Sequence, residues 1–203
     1  MLDGGRRLPL VEDFYTIQGE GYHTGKPAYF IRLGGCDVGC RWCDAKYTWN
    51  PKVFPPVDVD TVVARAKACA AQAIVITGGE PLLYPLGVLT QRLREEGLEI
   101  FLETSGTHPF SGEFDWVCLS PKRQLPPLDE AFGRAHELKV IIQSEDDFAW
   151  AVIADYICSP SGVYMRILCR RLWSMRRQTP SGQYLFRRIN LCIFHSAFSN
   201  VGW

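Results

Sequence analysis

Apolar residues along the first 150 positions follow two alternating rhythms. AIVIT at 73–77 has no polar interruption and stops at Gly78-Gly79, so it predicts a strand buried on both faces. YFIRL at 29–33 is a shorter β-rich run that ends in Gly34-Gly35. LEIFLET at 98–104, WVCLS at 116–120 and ELKVII at 137–142 predict three more strands. Between these runs the apolar spacing lengthens to three and four. Val59, Val62, Val63, Ala66 and Ala70 share one face over 58–72, which predicts a helix that Asp58 or Asp60 can cap. Leu86, Leu89 and Leu93 predict the next, with Gly97 suited to its C′ position. Ser144 with Asp147 resembles a capping box opening a helix at SEDDFAWA. Strand–helix alternation of this kind predicts an α/β fold with a largely parallel sheet.

Length and composition narrow the picture. The 203 residues suit one domain, and 47% hydrophobic with 22% charged residues is globular. Lys+Arg and Asp+Glu both number 22, which argues against a broad footprint for nucleic acid or an anionic membrane. No apolar run reaches the roughly 18 residues that span a bilayer. The opening MLDGGRRLPLVEDF has two arginines but no apolar stretch behind them, so no secretory leader is expected. Eight cysteines then point to a reducing, cytoplasmic compartment, where clustered thiols mean metal or catalysis.

The zero net charge conceals a division. Residues 151–203 hold seven arginines and one acid, Asp155, with no lysine or glutamate, a net of +6. The first 150 hold 15 basic and 21 acidic residues, a net of −6. Regular alternation also fades after Tyr156. A domain over 1–150 and an atypical Arg-rich tail over 151–203, nominally the end of the same domain, are expected.

Chemistry concentrates where parallel α/β folds place their sites, at the C-terminal ends of strands. GGCDVGCRWC follows the first predicted strand, TGGEP the next, ETSG the third and SPK the fourth. Cys36, Cys40 and Cys43 form CxxxCxxC on a Gly-rich loop. Three thiolates on an iron–sulfur cubane leave one iron free to chelate a ligand. The same thiols could belong to a zinc site, but zinc wants four closed ligands, and His23, His108, His136 and His195 are scattered. Spacing alone leaves both readings open. Cys69 and Cys118 read as small buried residues.

CxxxCxxC with Trp42 before its third cysteine, followed by Gly78-Gly79-Glu80-Pro81, resembles the radical S-adenosylmethionine superfamily. The match is narrower than that. IQGEGYHTGKPAYFIRLGGCDVGCRWCD, ITGGEPLL, LETSGT, CLSPK and ELKVIIQSEDDFAW, in that order over about residues 10–150, resemble the 7-carboxy-7-deazaguanine synthases. The resemblance implies an abbreviated (β/α) barrel and a homodimer. It implies conversion of 6-carboxy-5,6,7,8-tetrahydropterin to 7-carboxy-7-deazaguanine with loss of ammonia, in queuosine biosynthesis. The cofactors implied are a [4Fe-4S] cluster on Cys36, Cys40 and Cys43, and S-adenosylmethionine. A small flavodoxin- or ferredoxin-type donor would supply the electron that releases a 5′-deoxyadenosyl radical, which takes a hydrogen from the pterin.

By the same resemblance Trp42, Cys43, Asp44, Gly79, Ser120, Pro121 and Lys122 bind S-adenosylmethionine, with Gly78, Glu80 and Glu103 as further contacts. The glycines suit that role because backbone must approach closely there. Ile17, Gln18, Gly19, Arg32 and Thr77 face the pterin, with Glu20 beside them. QGEG could instead be a hairpin turn and Arg32 a strand-end charge. A different radical enzyme such as an activase, or an inactive cluster- or zinc-binding protein, are the other readings.

Two features depart from the family. Many relatives have a magnesium-binding Thr where this chain has Ala45, so magnesium would have to be held by substrate and water. The Gln-Pro stretch and the Gln-Thr-His-Lys-like final strand of the family have no counterpart in 151–203, and Gln178-Thr179 does not supply one. Arginine-rich, lysine-free text suggests that residues from about Ala151 are read out of frame or otherwise replaced. The sheet is then expected to lack its last strand, and the chain to be poorly soluble and weakly active.

Overall fold

The computed structural model describes residues 3–142, 144–158, 164–169 and 190–191. Among these, nine strands form one sheet: β1 (Arg7–Ile17), β2 (Pro27–Leu33), β3 (Pro56–Asp58), β4 (Ala73–Gly78), β5 (Glu99–Thr104), β6 (Trp116–Leu119), β7 (Glu137–Ile142), β8 (Tyr164–Cys169) and β9 (Asn190–Leu191). Their spatial order is β3-β1-β2-β4-β5-β6-β7-β8-β9. Every pairing from β2 to β9 is parallel, while β1 runs antiparallel to both β2 and β3. The sheet ends in two edges rather than closing, which makes it the partial barrel expected.

Four helices, α1 (Val59–Lys67), α2 (Gly87–Glu95), α3 (Asp129–Arg134) and α4 (Glu145–Cys158), connect the strands. They cover one face. Ile31, Leu33, Ile74, Ile76, Ile100 and Leu102 pack against Val59, Val62, Val63 and Ala66 of α1 and against Leu86, Leu89 and Leu93 around α2. Leu138, Val140 and Ile142 pack against Ala131 and Phe132 of α3 and Ala151 and Ala154 of α4. Because side chains alternate along a strand, the intervening residues face the other way. Arg32, Thr77, Glu103 and Lys139 are among them, beside the apolar Phe30 and Ile141, and a polar row on the concave face of a parallel sheet marks a site.

Several expectations need correction. β1 is a strand of 11 residues that its composition concealed, since most of its second half is exposed and does not alternate. α1 stops at Lys67, so Cys69 lies beyond it and Ala70 is exposed; the small residues after Ala66 offer no bulk to bury. α4 runs on past residue 151, with Ala151 and Ala154 buried. The sheet does not end at β7. Arg166 breaks the apolar run of YMRILC, but six residues of this segment pair with β7. Gln178-Thr179 and His195 lie outside the described residues.

Candidate active site

The cysteine loop leaves the end of β2 and is tied to its surroundings mainly by backbone. The Gly35 N–H donates to the Thr48 carbonyl at 2.6 Å, Cys36 N–H to Trp49 at 3.3 Å and Cys43 N–H to Cys40 at 3.1 Å. The Tyr84 hydroxyl donates to the Gly34 carbonyl at 2.7 Å. β4 packs directly against this loop. A Cβ on Gly79 would stand 2.0 Å from the Gly35 oxygen, and one on Gly78, at φ 136°, 2.1 Å from the Leu33 oxygen. The two glycines are thus required first by the chain itself, Gly78 by the end of β2 and Gly79 by the cysteine loop.

Glu80 lines the same cavity and has protein partners of its own. Its carboxylate is buried and accepts from Leu82 N–H at 3.1 Å, Thr104 Oγ1 at 2.5 Å, and Ser105 N–H and Oγ at 2.8 and 2.5 Å. Those bonds bind the end of β4 to the end of β5. Its backbone, not its carboxylate, remains for a ligand.

A cavity of about 340 Å³ opens between the loop and the concave face of the sheet. Cys36, Cys40, Trp42, Cys43, Asp44 and Ala45 form one wall. Gly78, Gly79, Glu80, Ser120 and Lys122 form the strand-end rim, and Gln18, Glu20, Arg32, Thr77 and Glu103 the opposite side. Sixteen positions singled out in the sequence thus meet at one place. Three do not line it. Ile17 is 61% exposed, Gly19 is absent from the wall, and Pro121 faces an adjoining cavity of about 440 Å³. That second cavity shares Trp42, Lys122 and Ile141 with the first and adds Arg41, Arg123 and Trp150.

The polar side chains of the wall are linked to one another. Arg32 Nε donates to Glu12 Oε1 at 2.7 Å, a pair set by their direct cross-strand register. Thr77 Oγ1 donates to Glu103 Oε2 at 3.0 Å. Lys139 Nζ lies 2.8 Å from Glu20 Oε1 and 3.5 Å from Glu103 Oε2. Glu103 is thereby linked to Thr77 directly and to Glu20 through Lys139. Burial opposes the charge of Lys139, but Glu103 and Glu20 outweigh it and hold the ammonium above its ordinary range. Lys122 differs. Burial pushes it down to about 8; Cys40 counters this and Lys139 adds to it. Its ammonium donates to Ser120 O at 2.6 Å and lies 5.4 Å above the Trp42 ring.

Lys139, Thr104 and Ser105 escaped the sequence reading. Lys139 had a signal: a lone cation at the third position of ELKVII, in phase with the concave face. Thr104 and Ser105 had none, because their role depends on where Glu80 points.

The donor set among the described residues favours a cluster over zinc. Burial pushes the Cys36 thiol up, and the Cys40 thiol likewise against the pull of Lys122. Gln124 Nε2 donates to Cys40 Sγ at 3.1 Å. Among the described residues no three His, Cys, Asp or Glu side chains converge closely enough to hold one metal ion. His108 pairs with Asp37 at 2.9 Å, His136 Nδ1 accepts from Val117 N–H, and His23 stacks on Phe101, so none of these three completes a zinc tetrahedron. Three thiols around one cavity, with no fourth ligand among the described residues, fit a cubane with an open iron.

Comparison with known proteins agrees with this geometry. The model of the Radical SAM superfamily matches residues 30–147. The 7-carboxy-7-deazaguanine synthase of Flavobacterium psychrophilum is 56% identical over 150 residues, 74% of this chain and 71% of that protein. The Synechocystis protein of the same name is 46% identical over 152 residues, 75% and 73% of the two chains. The crystal structure of QueE from Escherichia coli superposes with a TM-score of 0.71 at 33% identity, covering 83% of this chain and 85% of that one. No helix among the described residues is long and apolar enough to cross a membrane.

Proposed function

The chain belongs to the 7-carboxy-7-deazaguanine synthases of the radical S-adenosylmethionine superfamily, and from that premise we propose the reaction it carries out. It converts 6-carboxy-5,6,7,8-tetrahydropterin to 7-carboxy-7-deazaguanine with release of ammonia, in queuosine biosynthesis. Its cofactors are the [4Fe-4S] cluster and S-adenosylmethionine of the superfamily. One observation carries the reading: the three thiols and the polar concave wall share a single cavity. An activase would not need the Gln18–Glu20 loop against that wall.

Cluster and S-adenosylmethionine together supply a carbon radical that removes one hydrogen from the substrate. This chain's residues hold and orient the parts. Cys36, Cys40 and Cys43 provide the three thiolates. Trp42, Asp44, Gly78, Gly79, Ser120, Pro121 and Lys122 surround the bound S-adenosylmethionine. Lys122 over Trp42 and Ser120 brings a positive charge to that side, where a carboxylate or ribose oxygen would accept from it. Gln18, Glu20, Arg32 and Thr77 face the pterin, with Ile17 and Gly19 shaping the loop that carries Gln18. Glu12 holds Arg32 Nε and so fixes the plane of the guanidinium for a carboxylate.

Ala45 lines the cavity and offers no side-chain oxygen, so magnesium would be carried by the substrate and water alone. We assign the working form as a cytoplasmic homodimer reduced by a small flavodoxin- or ferredoxin-type protein. Anaerobic reconstitution tests the assignment. Iron, sulfide and a broad brown absorbance should appear together. With S-adenosylmethionine and a reductant, the carboxylated tetrahydropterin should yield the deazaguanine and ammonia in equal amounts. A loaded cluster that makes 5′-deoxyadenosine yet leaves this substrate intact would overturn the reading.

A further inference from the structure

We propose that Lys139 is a positioning residue for the substrate: its ammonium holds the Glu20 and Glu103 carboxylates aimed at the N–H-bearing edge of the pyrimidinone ring. The proposal rests on the function assigned above and names a residue that assignment does not use.

Lys139 occupies the one concave-facing position of β7 that carries a cation. Its side chain is 14% exposed, and a lysine this enclosed persists only when paired. Its two partners come from distant parts of the chain. Glu20 arrives from the segment after β1, 119 residues away, and Glu103 from the end of β5. Glu103 also accepts from Thr77, so the chain Glu20–Lys139–Glu103–Thr77 crosses the concave face from the QGEG segment to β4. The Lys139 carbonyl accepts from Ser120 Oγ at 2.8 Å, which joins the same residue to the cofactor side.

The charges decide the role. Two carboxylates and one ammonium leave a local excess of one negative charge. An edge rich in N–H donors suits such a wall, and the 2-amino-4-oxopyrimidine half of a tetrahydropterin has that edge. The substrate's own carboxylate does not suit it, and Arg32 stands on the neighbouring strand to take that group. Without the ammonium, nothing would draw the two carboxylates to one place, and like charges would turn them away from each other and from the substrate edge. Lys139 thus acts through Glu20 and Glu103, not by touching the reacting atoms.

Lys139→Met tests this in the reconstituted holoenzyme. KM for the tetrahydropterin should rise on the order of 10–100-fold, as expected for losing a charge-assisted contact. Cluster loading and substrate-free formation of 5′-deoxyadenosine should stay near wild type. Lys139→Arg, which keeps the charge, should recover most of the KM. If Lys139→Met does not fold, Lys139→Gln is read in the same way. Loading, substrate-free cleavage and KM declining in parallel would make Lys139 a mere buttress, and an unchanged KM would remove it from the substrate site. Either result overturns the proposal. Failure of the function itself looks different, because wild type would then not consume the pterin at all.

Discussion

A methyl group on Gly79 would stand 2.0 Å from the Gly35 carbonyl, next to the first cysteine of the loop. Gly79→Ala must therefore shift the cysteine loop or the end of β4, at a cost of about 1–3 kcal/mol for overpacking. The expected result is reduced iron per chain together with a lowered Tm. A variant with full cluster content and wild-type Tm would show that the loop tolerates the shift. The cysteines behave differently, because each thiolate is one third of the protein's hold on the cluster. Alanine at Cys36, Cys40 or Cys43 should abolish 5′-deoxyadenosine formation outright, and any variant that still forms it contradicts the ligand assignment. Arg32 is tied to Glu12 and lines the substrate side. Arg32→Ala should lower pterin turnover far more than cofactor cleavage, and equal losses would place Arg32 elsewhere.

The elements meet at Glu80. Its buried carboxylate accepts four hydrogen bonds, one within its own turn and three from the end of β5. Glu80→Ala would leave Thr104 and Ser105 groups without that acceptor, costing at least about 2 kcal/mol. For a chain of this size that lowers Tm by roughly 4–8 °C. A calorimetric scan of the reconstituted protein gives the answer; unchanged Tm with a raised KM for S-adenosylmethionine would return the carboxylate to the cofactor. Strands β2, β4, β5, β6 and β7 were legible because short runs rich in apolar and β-branched residues identify strands covered by helices. β1 was not, since one face is largely wet and its pairing with β2, not its own composition, makes it a strand. β8 was hidden by Arg166 and emerges from its parallel register with β7.

At the scale of the molecule, the division of charge near residue 151 meets a structural fact that cuts across it. α4 continues from Glu145 to Cys158, and β8 extends the sheet. The curated relatives nevertheless align over only about three quarters of the chain. We keep the proposal that the text after about Ala151 is out of frame, on composition: seven arginines with no lysine or glutamate in 53 residues. Resequencing the gene should reveal a single-nucleotide shift that restores a Gln-Pro and Gln-Thr-His-Lys ending, and the corrected protein should be more soluble and more active. If no shift restores it, the frame explanation is wrong. A functional Arg-rich arm would instead show nucleic-acid binding that weakens steeply with salt.

CxxxCxxC, GGEP, QGEG and SPK were enough to identify the family, because the chemistry of a cluster and a chelated cofactor demands particular atoms at fixed spacing along the chain. The same holds for the parallel strands, whose two-sided burial is written as apolar runs. What lay beyond the sequence was the direction of individual side chains across strands. Glu80 clamps β5, Glu103 faces Thr77, and Lys139 joins Glu103 to Glu20, which lies 119 residues before the lysine. Local spacing has no term for such pairs. They form because helices cover one face of the sheet, so every alternate side chain must point into the concave side, where enclosed charges persist only by finding one another.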